Sequence, residues 1–155
     1  MKRVTMRQSL LVLLVLLSGL AWADTLVNWE IGFEVDVPTT WLRQDGGASG
    51  LKLASEDVRL SVEPYFGVTQ ATQIERLRQQ SKAAGYEFKN EKSYPIHEVP
   101  AHQMVFYKSG KYLIYYVLIS GSRGILLTLN SEGTDSPSFQ QAQDIISDFR
   151  VMPLR

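Results

Sequence analysis

The chain has 155 residues, 45% of them hydrophobic and 10% aromatic, with 16 basic and 16 acidic side chains and no cysteine. Without cysteine, disulfides, thiol catalysis, thiolate metal sites and a lipoprotein-type thioether anchor are excluded. Setting aside the cations Lys2, Arg3 and Arg7 leaves 13 bases against 16 acids, a net charge of −3 that disfavours nucleic acid and anionic lipid as partners.

The chain opens with Lys2, Arg3 and Arg7, then the apolar run Leu10–Leu17, then Ser18-Gly19 and Ala21-Trp22-Ala23. A basic start, a short apolar core and an Ala-x-Ala end predict a cleavable secretory signal cut after Ala23. The run is short of the about 20 apolar residues a spanning helix needs, so no membrane span is expected after cleavage. The remainder, 24–155, has the length of a single domain, placed in the periplasm.

From Asp24 to Pro38 the residues Trp29, Ile31, Phe33, Val35 and Val37 alternate with polar ones, which predicts one strand with a core-facing side. Thr39-Thr40-Trp41 reads as a turn carrying a large aromatic, and Gln44–Gly50 as a flexible loop. Leu51–Ala54 and Val58–Phe66 read as strands around the turn Ser55–Asp57. In the second, Val58, Leu60, Val62, Pro64 and Phe66 share one face, and Pro64 places that end at an edge or bulge.

The period changes at Gln70. Ile74, Leu77, Ser81 and Ala84 form a helical stripe, with Thr69 or Thr72 as cap and Gly85 as terminator. Tyr86–Tyr94 reads as a charged, exposed strand. Val99–Lys108, Tyr112–Ser120 and Gly124–Asn130 read as the centre of an antiparallel meander, joined at Ser109-Gly110 and at Ser120–Arg123. Ser136-Pro137 starts a last helix whose stripe is Phe139, Ala142, Ile145, Ile146 and Phe149. The fold class is α+β: an antiparallel sheet of about six strands, one face solvated and the other covered by two helices.

The segments Gly32-Phe-Glu-Val-Asp-Val-Pro-Thr-Thr-Trp41, Val99–Tyr107 and Ser147-Asp148-Phe149, in this order, resemble the PsbP-like fold family, which includes DcrB-type bacterial envelope proteins. The likeness runs from Gly32 to Val151. It implies an α+β domain with a central antiparallel sheet, and binding or assembly work instead of catalysis. Many bacterial relatives are lipoproteins; without cysteine, this chain is expected to be free in the periplasm.

His97 and His102 are the only histidines. Five residues apart on one strand their rings face opposite sides, and the spacing with Glu98 matches no common ligand motif, so no metal or cofactor is expected. No Gly-x-Ser-x-Gly elbow is present. Ser120–Gly124 reads as a hairpin turn, or as a small anion nest beside Arg123. Glu56-Asp57 and Glu132 with Asp135 read as solvated turn charges. Phe106, Tyr107, Tyr112, Tyr115 and Tyr116 crowd one hairpin. Tyr112, Ile114, Tyr116 and Leu118 share one face, and Leu113, Tyr115, Val117 and Ile119 the other, so this strand is expected to be covered on both sides. These tyrosines are core with polar tips at the rim, or they line a groove. Trp41 is a core plug, or it rims a pocket with Gly46-Gly47.

The candidate binding residues are therefore Tyr107, Tyr112, Tyr115, Tyr116, Trp41 and Arg123, with no catalytic set. The expected function is a non-enzymatic binding or assembly domain that engages an envelope protein, as an adaptor or effector-immunity protein for example. The alternative is a small periplasmic hydrolase or small-ligand-binding protein with a pocket near His97 and His102.

Overall fold

A computed structural model describes residues 23–153. Of the expected signal, residues 1–23, all but Ala23, the first residue of a strand, lies outside the described residues. Among the described residues, no helix is long and apolar enough to cross a membrane.

The first predicted strand is two. Ala23–Asn28 (β1) and Phe33–Pro38 (β2) fold back on each other as an antiparallel hairpin. Asn28 makes the break. Its side-chain oxygen accepts from the Ile31 N–H at 2.9 Å, its backbone carbonyl accepts from the Gly32 N–H, and Gly32 takes φ +90°. This is the local side-chain competition by which asparagine stops regular structure. Trp29 therefore leaves the alternation and stands 63% exposed at the turn.

Leu42–Asp45 (β3), Leu51–Ser55 (β4) and Val58–Tyr65 (β5) follow. The first residues of the expected loop are thus an edge strand, paired to β4 by backbone bonds that its polar composition does not advertise. Beyond Val62, β5 has outrun β4, and Pro64 pairs on its other side only, with Ile125. Phe66 lies past the strand end and is 80% exposed, not inward with Val62.

Helix α1 (Gln70–Ala83) is capped by Thr69, whose hydroxyl accepts from the Thr72 N–H, and Gly85 at φ +86° ends it. Leu77, Ser81 and Gln73 are its buried residues; Ala84 is exposed, being already past the last turn. Glu87–Ile96 (β6), Val99–Lys108 (β7), Lys111–Ser120 (β8) and Arg123–Ser131 (β9) form a meander. The turns His97-Glu98 and Ser109-Gly110 carry positive φ at both residues, the twist that two-residue hairpins favour. Helix α2 (Pro137–Ser147), capped by Ser136, and the short β10 (Arg150–Val151) complete the chain.

The strands form a seven-stranded sheet in the order β3-β4-β5-β9-β8-β7-β6 and a three-stranded sheet β1-β2-β10, every pair antiparallel. The architecture is α+β, with more strands than the about six read from the pattern. One core unites Leu60, Leu127, Leu129, Ile114, Tyr116 and Leu118 with Phe33, Val35 and Val37 of the small sheet and Ala142, Ile145 and Ile146 of α2. Phe149 stacks on Phe33 with ring centroids 5.1 Å apart. A second core sets Leu77 and Ile74 of α1 on Met104, Phe106, Leu113, Val117 and Leu126. The helices thus cover opposite faces of the large sheet, not the same one. Both faces of β8 are apolar, so each demands a cover. Helix α1 covers only the β6–β9 half of its face.

Candidate functional site

The hairpin tyrosines do not share a surface, because neighbours on a strand point to opposite faces. Tyr116 is fully buried in the first core, where its hydroxyl accepts from Gln103 Nε2 at 3.0 Å and Gln143 Nε2 at 3.3 Å. Burial pushes its pKa up, against the pull of those two bonds. Tyr115 lies under α1, edge-on to Phe106, its hydroxyl 3.4 Å from Ser81 Oγ. Trp41 is 3% exposed and donates its indole N–H to Gln141 Oε1 at 2.8 Å, tying the turn after β2 to α2. Tyr107 and Tyr112 do reach the surface. They face each other across the β7–β8 hairpin at 5.1 Å, with Lys89 Nζ 5.3 Å from the Tyr107 ring centroid.

Arg123 lies at the opposite end of the sheet. Its guanidinium donates to the carbonyls of Gly32 and Met152, joining the β1–β2 turn to the tail after β10. An anion nest is not what this arginine builds: its Nη donors are committed to carbonyls, and it is a brace. Gly32 is required here by its positive φ; a Cβ there would also displace the end of the Arg123 side chain. Two depressions share Glu30, Ile31 and Arg123; Trp29 borders one and Phe66 the other. Sequence reading missed this pair because it placed both rings on core-facing strand positions. The turn-forming Asn28 and Gly32, four residues apart, were the available signal.

His97 stays in the β6–β7 turn, whereas His102 is held mid-strand. His102 Nε2 lies 2.8 Å from Glu91 Oε2, and Nδ1 lies 2.7 Å from Ser93 Oγ. A carboxylate only accepts, so Nε2 donates to Glu91, and Nδ1 shares a hydrogen bond with the Ser93 hydroxyl. Arg78 of α1 donates to the same Glu91 oxygen at 2.9 Å. The bonds from His102 and then Arg78 hold the Glu91 pKa below the ordinary carboxylate value. None of Glu91, Ser93 and His102 lines any of the cavities described here. Among the described residues, no group of three His, Asp or Glu side chains is placed to hold a metal ion. Glu56, Asp57 and Glu132 meet around a polar cavity of 390 Å³ with Lys111 and Tyr112.

A groove of 520 Å³ opens on the half of the sheet that α1 leaves bare. Pairing register builds its floor in two rows across β3, β4, β5 and β9. Leu42, Ala54, Arg59 and Asn130 form one, and Gln44, Lys52, Ser61 and Thr128 the other.

No family model and no curated protein matches the chain. Solved structures do. The cyanobacterial PsbP (CyanoP) of Synechocystis sp. PCC 6803 superposes with a TM-score of 0.62 at 16% identity, over 86% of this chain and 94% of that one. The chain has a PsbP-like fold. LpqN, involved in cell envelope biogenesis of Mycobacterium tuberculosis, superposes with a TM-score of 0.54 at 14% identity, over 85% and 91% of the two chains. A protein of Bacteroides thetaiotaomicron VPI-5482 gives 0.50 at 12% identity over 84% of this chain, which spans 48% of that longer protein. In this PsbP-like domain, the Gly32–Trp41 segment is β2 with the turn that plugs the core under α2, and Val99–Tyr107 lies within β7, between β6 and β8 of the meander.

Proposed function

We propose that this PsbP-like domain is a non-enzymatic binding or assembly module of the cell envelope. It engages a protein partner through the end of the sheet that carries Trp29 and Phe66. The observation that carries this reading is the exposure of those two rings, 63% and 80%, beside the depressions that Arg123 holds in shape. Aromatic side chains supply large contact area at little entropic cost and dominate protein interfaces. The secretory signal read at the N-terminus and the naming of LpqN in envelope biogenesis support the compartment. Crosslinking of the protein in periplasmic extract, followed by mass spectrometry, tests it. A partner crosslinked near this end and lost with Trp29→Ala/Phe66→Ala supports the reading. Crosslinks confined to the Lys108–Lys111 hairpin move the surface to Tyr107 and Tyr112. A partner retained by the double variant at unchanged affinity sinks the Trp29–Phe66 assignment.

A second reading, a small hydrolase, is favoured by one observation: the chain of hydrogen bonds Ser93–His102–Glu91 contains the residue types of a nucleophile, base and orienting acid. Turnover of an activated ester that Ser93→Ala abolishes and Ser122→Ala spares supports it. Equal rates for Ser93→Ala and the parent protein remove it.

A further inference from the structure

Lys52 and Arg59 line the groove from adjacent strands, one in each row of its floor. No aspartate or glutamate lines this groove. Arg43, which also lines the groove, is paired with Asp24; away from it Arg78 and Arg150 pair with carboxylates, and Arg123 is committed to carbonyls. Among the described residues, Lys52 and Arg59 make no ion pair, although acids outnumber bases in residues 24–155. Arg59 also borders the neighbouring acidic cavity, but pairs with neither Glu56 nor Asp57 there. Leu42, 74% exposed on the edge strand, adds an apolar wall, and Ala54 an apolar patch of floor. Ser61, Thr128, Gln44 and Asn130 supply donors on the same face. The volume lies within the range of small-molecule sites.

We propose that this groove binds a small organic acid, a carboxylate joined to a short apolar body. The carboxylate lies between Lys52 and Arg59 with the Ser61 hydroxyl beneath it, and the apolar body lies against Leu42 and Ala54. Two cations are too few for a nucleic-acid tract, whose binding neutralises many phosphates. The site is separate from the partner-binding end, so either assignment stands or falls without the other.

The test uses the nitrogen-labelled protein and phenylbutyrate as probe, with phenylbutanamide as its uncharged twin. Saturable amide shifts confined to β3, β4, β5 and β9 are expected with the acid and not with the amide. Lys52→Gln/Arg59→Gln weakens binding about tenfold, and added salt weakens it in the parent protein, as a charge-dependent site requires. Both side chains are exposed, so an unchanged amide spectrum certifies the fold of the variant. Leu42→Ser keeps both charges and weakens binding by loss of the wall. Absence of shifts, shifts elsewhere, equal binding of the amide, or full affinity in the double variant each overturns the proposal. Displacement of the probe by a glutamate-rich peptide at lower concentration replaces the small acid with an acidic segment of a protein.

Discussion

The ring of Tyr65 lies directly on the backbone of Gly124, its cross-strand partner in the β5–β9 pair. A Cβ at position 124 would overlap three ring atoms. The Tyr65 hydroxyl, held there, donates to the Leu118 carbonyl at 2.8 Å. Gly124→Ala should therefore destabilise the fold by about 1–3 kcal/mol through overpacking. Urea titration measures it. Paired with Tyr65→Ala, the second cost should shrink, because the residues share one contact. Additive losses would show that the contact is not what restricts position 124.

Tyr116 serves two amide donors, the buried Gln103 and the half-buried Gln143, with a single oxygen. Tyr116→Phe leaves the side chains of Gln103 and Gln143 without that acceptor, at a cost of about 1–3 kcal/mol. Adding Gln103→Leu should recover part of the loss. A Tyr116→Phe protein as stable as the parent would mean that both amides find water.

At low pH the relevant group is Glu91. Its folded pKa is depressed below the ordinary 4.5, chiefly by the His102 bond and then by Arg78. A depressed carboxylate contributes stability above the unfolded value and loses it as pH falls through the folded value. The side chain is 35% exposed, so screening holds the effect to about 0.5 kcal/mol. Glu91→Gln should be flatter than the parent protein below pH 4.5 and parallel to it at neutral pH. Identical acid limbs would remove Glu91 from the balance.

The alkaline limb has the opposite sign. Burial, helped by Tyr116, raises the Tyr94 phenol from 10.0 to about 12. Its contribution is whole below pH 10 and is lost as pH rises towards about 12, because the unfolded phenol ionises first. Tyr94→Phe should unfold over a narrower loss of stability in that window. Spectrophotometric titration of the phenolates supplies an independent check.

Arg123 predicts local loosening. Arg123→Gln cannot span both the Gly32 and Met152 carbonyls. Hydrogen exchange should quicken at the β1–β2 turn and after β10, while α1 and β7 keep their protection. Uniformly faster exchange would show that the brace acts on the whole fold.

Local pattern carried much of this structure. The meander, both helix caps and the covered faces of β8 follow from alternation, from Thr69 and Ser136, and from Gly85. What alternation hid was a turn with strand-like spacing. Trp29 and Ile31 continue the period of two, yet Ile31 is buried at a turn and Trp29 is exposed, because Asn28 hydrogen-bonds its own following backbone. Its amide also donates to Asp45 Oδ1 at 3.1 Å and to the Gly47 carbonyl at 2.9 Å, contacts 17 and 19 residues away that no local window contains.

The sequence by itself determined the faces of the meander strands, the absence of thiol chemistry and the apolar demand on both sides of β8, because these depend on residue type and spacing along one element. Only the tertiary structure decided which face each helix took, that Ser93, His102 and Glu91 would meet, and that Lys52 and Arg59 would share a groove. The physical reason is register. Cross-strand pairing sets which residues of distant segments become neighbours, and that pairing is chosen by the burial of the whole sheet.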